Sequence, residues 1–289
     1  MTTKSSSIYA VPSHTPRLEV RSRFSQIEKL TKASWKLLAL PLLFFIVVPV
    51  MALFQRVSPT DFFTHLNLVQ VQQAINLSLF TSFMTTTITW IVGTPVAYLL
   101  AQRRSLFGRV IDTLIDLPTV LPPSVAGVAL LMAFGRRGVF GPALETMGIS
   151  VPFTSVAVIM AQTFIAAPFF VKAASIGFAS IDRELKQAAA LDGANRWQTF
   201  RYIIFPLSWT ALLSGSVMTW ARALGEFGAT IIFAGNFPGR TQTMPLAIYI
   251  GFEIDLNVAL TLAIILICFS FLTLILVKGI LHRRLDTDL

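Results

Sequence analysis

The stretch VALTLAIILICFSFLTLILV, residues 258–277, contains no charged side chain. Wound as a helix rising about 1.5 Å per residue, it reaches the ~30 Å thickness of a bilayer's hydrocarbon core. A helix on the surface of a soluble bundle would show a polar face every three or four residues, and none recurs here. The dyad alternation of a membrane β-barrel is missing as well. The stretch therefore reads as a helix surrounded by lipid.

Working outward, comparable apolar runs occupy residues 36–54, 75–101, 110–134, 153–171 and 207–233. The whole chain of 289 residues is 54% hydrophobic and only 13% charged, with a mean hydropathy of +0.70. Both values lie outside the range of soluble domains. The expected fold class is an all-α polytopic membrane protein with six transmembrane helices. A basic tail, 1–34, precedes a membrane domain, 35–289. The tail's Ser, Thr and Arg content loosely suggests a transit peptide, but a basic cytosolic tail is the favoured reading.

Lysines and arginines set the topology. Lys4, Arg17, Arg21, Arg23, Lys29, Lys32 and Lys36 precede or open the first run, and Arg103, Arg104 and Arg109 separate the second from the third. Lys172, Arg183, Lys186, Arg196 and Arg201 lie between the fourth and fifth, and Lys278, Arg283 and Arg284 follow the sixth. The other side receives Arg56, Arg136, Arg137 and Arg240. Both termini are thus expected in the cytoplasm (N-in/C-in). Basic residues beside anionic membrane lipid account for the net charge of +9, and no nucleic acid is expected as a partner.

Several function classes are disfavoured. No GxxxxGK[ST] phosphate loop occurs, so ATP-driven work needs a partner chain. His14, His65 and His282 lie outside the runs and far apart, which leaves no metal-ligand cluster, and no GxSxG elbow is present. No catalytic residue, cofactor site or metal site is expected in this chain, and an intramembrane enzyme is the alternative from another class. Cys268 is the single cysteine, so no intrachain disulfide can form. A filter-like loop or acidic ring for an ion channel is also missing. A transporter component fits better.

Two passages depart from the greasy pattern. In TWARALGEFGATIIF, residues 219–233, Arg222 and Glu226 stand one helical turn apart at membrane depth, where an unpaired charge costs several kcal/mol. They either line or gate an anion's route, with Gly225, Gly228 and Thr230 beside them, or form an ion pair that holds the bundle together. Ala221, Gly225 and Ala229 form a small-residue stripe suited to close helix packing. Gly225, Gly228 and Gly235 weaken helical continuity, so a broken or tilted helix is expected. Likewise Asp112 and Asp116 precede Pro118, Pro122 and Pro123, which predicts a kinked or interrupted third span.

The second passage is QAAALDGANRWQTFRYIIFP, residues 187–206, polar and basic between two apolar runs. Its alanines favour a short helix open to close approach, Gly193 a tight turn, and Pro206 re-entry to the membrane. The order Gln187-Ala188-Ala189, three residues, Gly193, nine residues, then Ile203-Ile204-Phe205-Pro206 resembles the EAA motif of ABC importer permeases. Gln187 stands for the usual Glu and Phe205 for the usual Leu. In addition, DLPTVLPPSVAGVALLMAFGRRGVFG (116–141) and ARALGEFGATIIFAGNFPGRTQTMPLAIY (221–249) are similar to the molybdate branch of the molybdate and sulfate permeases. Together the matches cover most of residues 37–281.

The resemblance implies an ABC importer (type I) permease fold with a cytoplasmic coupling helix in a loop spanning 172–206. Gln187, Ala188, Ala189, Ala190, Leu191, Asp192, Gly193, Ala194 and Arg196 would contact an ABC ATPase subunit pair that carries ATP and Mg. It further implies a second copy of this permease, a periplasmic oxyanion-binding protein and a bacterial inner membrane. The cargo would be a tetrahedral oxyanion, molybdate, with sulfate or tungstate as the alternative.

Overall fold

The computed structural model describes residues 17–102 and 106–285. Lys4 and His14 of the basic tail, and Arg103 and Arg104, lie outside the described residues. Two compact units divide at Arg56. The first is a single helix, α1 (Arg17–Arg56), which carries Pro41 and Pro49 and exposes every side chain from Leu37 to Val50. An apolar helix of this kind is stable only with lipid or another apolar surface around it.

The second unit begins with a short helix, α2 (Pro59–Leu66), which leads into α3 (Val69–Gln102). Next come α4 (Leu106–Val120), α5 (Pro123–Phe134), the single turn-and-a-half of α6 (Gly141–Thr146) and α7 (Ser155–Ala179). Helices α3 and α7 run parallel: Thr85 meets Gln162, and a dozen residues further on Tyr98 meets Phe178. Since α7 starts at the opposite end from where α3 stops, α4 and α5 together must carry the chain back. They do so with a 115° bend. Pro122 and Pro123 explain the break, because neither can donate a backbone hydrogen bond to the preceding turn.

The seam between α3 and α7 is built from small residues. Buried along α3 are Ser78, Thr81, Ser82, Thr85, Thr89, Gly93 and Ala97, a run of three- and four-residue steps that keeps them on one face. Opposite them lie Ala161, Gln162, Ile165, Ala166, Phe170 and Ala174. Thr85 Oγ1 donates to Gln162 Oε1 at 3.1 Å, satisfying both polar groups inside the bundle. Small residues and side-chain hydrogen bonds hold helices together where lipid removes the hydrophobic drive.

Past α7, a helix α8 (Arg183–Leu191) and a single turn α9 (Arg196–Thr199) lead through a wide π-turn, Phe200–Ile204, and a short α10 (Phe205–Leu207) into α11 (Trp209–Leu224). The axis bends by 68° between the approach segment and α11. At that bend Ser208 Oγ donates to the Gly177 carbonyl at 3.2 Å. Here α11 lies so close to α7 that a Cβ on Gly177 would collide with the Ala211 Cβ. The chain closes with α12 (Gly228–Phe233), α13 (Met244–Ile254) and α14 (Leu256–Leu285), the last two packed as a hairpin. No strand occurs among the described residues.

Three expected boundaries move. The fourth span does not stop at residue 171 but continues to Ala179, because Lys172 is neutralised in place and the helix need not end to hydrate it. The coupling loop therefore begins after Ala179, not at 172. The second span opens at Val69, not at 75. α13 falls in a passage with no expected element. Cys268 is exposed on α14, as a lipid-facing residue would be.

Close packing yields a direct test. A Cβ on Gly127 of α5 would stand 2.8 Å from the Ala229 carbonyl oxygen and from the Ile232 Cβ. Gly127→Val is therefore expected to cost roughly 1–3 kcal/mol, lowering the thermal midpoint in detergent. Gly225→Ala, whose nearest neighbour is 3.8 Å away, leaves that midpoint unchanged.

Candidate functional site: a stitched break and an exposed docking helix

The helical interruption expected around Gly225 is present. α11 ends at Leu224, and three residues later α12 starts afresh at Gly228. Such an end exposes backbone N–H groups that need partners. Glu226 supplies one from within the break: its Oε1 accepts from the Ala229 N–H at 2.9 Å. Its Oε2 lies 2.8 Å from Arg222 Nη1, so the carboxylate joins the last turn of α11 to the first turn of α12. Glu226 is only 1% exposed, whereas the Arg222 side chain is 31% exposed.

The two sequence-predicted interruptions meet. A Cβ on Gly228 would stand 2.8 Å from the Pro123 Cβ, so the start of α12 abuts the start of α5. Behind this contact Ala126, Leu130, Ala157, Ala161, Ala229 and Phe233 form one apolar cluster. Thr230 is buried there, and its hydroxyl has no partner among the described residues. Gly225 is exposed. Of the five candidates, then, Arg222 and Gly225 reach the surface, while Glu226 and Thr230 are enclosed. The expected stripe Ala221, Gly225 and Ala229 does not form one packing face, because the break turns Ala229 away onto α5 while Gly225 stays open.

Lys172 is a partner the sequence did not reveal. Its Nζ lies 2.6 Å from Asp112 Oδ1 and 2.8 Å from Asp116 Oδ2, tying α7 to α4. The i, i+4 spacing of the two aspartates placed them on one face; the lysine sits sixty residues away and its approach depends on the bend at Pro122.

The passage 187–206 forms the short helix and glycine turn that its spacing suggests, and the reasons are local. α8 ends in a Schellman motif: Gly193 N–H donates to Ala190 O at 3.2 Å and Ala194 N–H to Ala189 O at 2.9 Å. Gly193 takes φ +83°, a conformation that costs any residue with a Cβ. Two residues later Asn195 and Gln198 form a capping box that starts α9, each side chain bonding the other's backbone N–H at 2.8 Å. Ala189 is the one buried residue of α8. Gln187, Ala188, Ala190, Leu191, Asp192 and Gly193 are exposed, and Leu191 is 89% exposed. Arg196 belongs to α9 and lies beside α3 rather than on α8.

Behind the helix, aromatic rings connect it to the bundle. Phe200 contacts Tyr98 of α3 with ring centroids 4.9 Å apart and Phe178 of α7 at 6.0 Å. Lys186 Nζ reaches the Phe178 carbonyl at 3.4 Å. Ring contacts thus run from the segment after α8 to α3 and α7 and, through Phe205 against Trp209, to α11.

This arrangement, several apolar helices with one solvent-exposed helical elbow, is the fold of ABC importer permeases. The chain aligns with the structure of a bacterial ABC transporter involved in the import of the acidic polysaccharide alginate at a TM-score of 0.69 and 18% identity, covering 89% of this chain and 98% of that one. It aligns with an inward-facing MetNI methionine ABC transporter at a TM-score of 0.57 and 17% identity, covering 74% and 95%. Residues 93–287 match the family described as the binding-protein-dependent transport system inner membrane component, and the chain belongs to that family. It is 36% identical over 260 residues to a probable transport system permease protein, NifC, of Clostridium pasteurianum, spanning 89% of this chain and 90% of the relative. It is 37% identical over 231 residues to the molybdenum transport system permease protein ModB of Mycobacterium tuberculosis, spanning 80% and 88%. A probable sulfate transport system permease protein, cysT, of Chlorokybus atmophyticus is 35% identical over 218 residues, spanning 74% and 76%. The chain is a multi-pass transport component, not an enzyme.

The stitched break makes a stability prediction. Glu226→Ala leaves the Ala229 N–H unpaired and Arg222 without its counter-ion, and is expected to cost about 3 kcal/mol or more. Arg222→Ala costs less, because the arginine is partly exposed and Glu226 keeps its bond to Ala229. Thermal midpoints of both variants and of the double variant, compared as a cycle, report the coupling.

Proposed function

We propose that this chain is the membrane-spanning subunit of an ATP-driven importer that passes a tetrahedral oxyanion, molybdate, from a periplasmic binding protein into the cytoplasm. The observation that carries the transport reading is the exposed elbow of α8, Gly193 and α9. It is a polar, charged module closed by its own Schellman motif and capping box, backed by aromatic contacts to two membrane helices. The molybdate assignment rests on relatives named as molybdenum permeases. Sulfate or tungstate is the second reading, favoured by the likeness to a sulfate permease.

In this reading Gln187 to Ala194 dock into a cleft of an ABC ATPase subunit, and two ATPase subunits with ATP and Mg serve two copies of this permease. The end of the bundle bearing α8 faces the cytoplasm of a bacterial cell, with both termini on that side. ATP-driven closure of the ATPase pair moves α8, the aromatic contacts pass the motion to α3, α7 and α11, and the spans alternate between inward-open and outward-open states. Between the two copies, Arg222 and Gly225 border the anion's route. Glu226, Gly228 and Thr230 hold the break behind them. A tight midplane site would slow release, so selectivity lies mainly with the binding protein.

Docking is tested by Leu191→Asp. The variant is expected to reach the membrane in normal amount but to lose co-purification with the ATPase and all uptake; retained co-purification would sink the docking role. Arg222→Met is expected to abolish most uptake while lowering the thermal midpoint less than Glu226→Ala does, and unchanged uptake would reduce the arginine to packing. Cargo is assigned by uptake competition in cells carrying only this system, where unlabelled molybdate should outcompete sulfate.

A further inference from the structure

A groove of about 790 Å³ runs along the outside of α3 at the end of the bundle that carries α8. Its wall on α3 is one face of that helix: Trp90, Ile91, Thr94, Pro95, Tyr98, Leu99 and Gln102 recur every three or four residues. The facing wall is the segment just past the docking helix, where Trp197, Phe200 and Phe205 present their rings. These rings are already arranged in contact. Trp197 stacks on Phe200 at 5.8 Å, Phe200 meets Phe205 at 6.1 Å, and Phe205 meets Trp90 edge-on at 6.2 Å. The body of the groove is thus apolar and aromatic.

Its rim is not. Arg196 and Arg201 border it, together with Gln102, the last residue of α3. Among the described residues no carboxylate lines the groove. Neither guanidinium has an acidic partner among the described residues, whereas Lys172 is paired with Asp112 and Asp116, and Arg222 with Glu226. Two exposed, unneutralised arginines therefore stand over an apolar trough at the end of a membrane helix. Tryptophan and tyrosine are enriched at this headgroup depth, where one end of a ring is wet and the other apolar.

We propose that the groove binds an anionic phospholipid of the surrounding bilayer, its phosphate held by Arg196 and Arg201 and one acyl chain laid along α3 between Trp90 and Leu99. Charge selects the class of lipid. Guanidinium groups pair well with phosphate oxygens, and each basic group close to an anionic headgroup contributes about 1 kcal/mol, roughly a fivefold preference. A zwitterionic lipid offers the same chain but adds an ammonium that this rim repels. Position gives the lipid a role. It fills the angle between α3 and the π-turn, Phe200–Ile204, which joins the docking elbow to α11. A bound lipid there supports the transmitting segment from its membrane side, so that anionic lipid in the bilayer tunes how firmly α8 is linked to the spans. This inference does not depend on which oxyanion is carried.

The test uses the tryptophans already in the groove. The full chain is reconstituted in phosphatidylcholine vesicles containing, at equal mole fraction, phosphatidylglycerol or phosphatidylcholine with brominated acyl chains. Brominated phosphatidylglycerol is expected to quench tryptophan fluorescence more strongly, and Trp90→Phe with Trp197→Phe should remove that excess. Arg196→Gln with Arg201→Gln should weaken the preference for phosphatidylglycerol roughly tenfold or more. Arg196→Lys with Arg201→Lys keeps most of the preference and controls for misfolding, and Arg183→Gln, on α8 outside the groove, leaves it intact. Equal quenching by the two lipids overturns the proposal, as does an excess that survives the double glutamine variant. It is also overturned if glycerol phosphate in solution abolishes the excess, which would mean a soluble anion site. Loss of the excess on assembly with the ATPase would show that a protein, not a lipid, covers the groove.

Discussion

Everything in this bundle answers to one constraint: within hydrocarbon, a backbone group that leaves its helix must find a partner inside the protein. The chain interrupts two of its helices, at Pro122–Pro123 and at Gly225–Phe227, and then satisfies the interruptions locally. Glu226 is the clearest case. Buried with one oxygen on the Ala229 N–H and the other on Arg222, it turns an otherwise open helix end into a fixed joint. The breaks are then pressed together through Gly228 and Pro123, so that neither faces lipid alone. A charged residue at this depth is tolerated because it is doubly engaged, and the arginine keeps its own exposed side for other work.

The same economy governs the aqueous end. The docking elbow has almost no core of its own; only Ala189 of α8 is buried. It is held instead by backbone closure around Gly193 and by the box between Asn195 and Gln198, both independent of any partner. Such a unit is stiff as a piece and movable as a whole. Beyond it lies the π-turn, and the rings of Tyr98, Phe178 and Phe200 join that turn to α3 and α7.

Much of this was legible in the residues. Uninterrupted apolar length announced α3, α7 and α14, and the spacing of Gln187, Gly193 and Pro206 announced the elbow. Prolines and glycines marked both breaks. What could not be read was which distant groups meet. The boundary of α7 was misplaced at Lys172 because a lysine in isolation signals water, whereas here two aspartates from α4 replace it. The small-residue stripe around Gly225 was read along one continuous helix, and the break reassigned its members to different neighbours. α13 was missed because an eleven-residue apolar helix is too short to span and carries no motif. Nor does the sequence show that one oxygen of Glu226 bonds the Ala229 N–H across the break.

The hydroxyl-lined face of α3 has a consequence for how the polypeptide is made. Thr85 meets its partner Gln162 only once α7 is alongside, Ser78 is engaged only by the Met244 N–H of α13, and α7 is synthesised some fifty residues after α3 is complete. Until then Thr81 and Ser82 are satisfied by carbonyls of α3 itself, and the Thr85 hydroxyl waits for its partner. The polar face of α3 is therefore completed in stages, by helices that leave the ribosome after it.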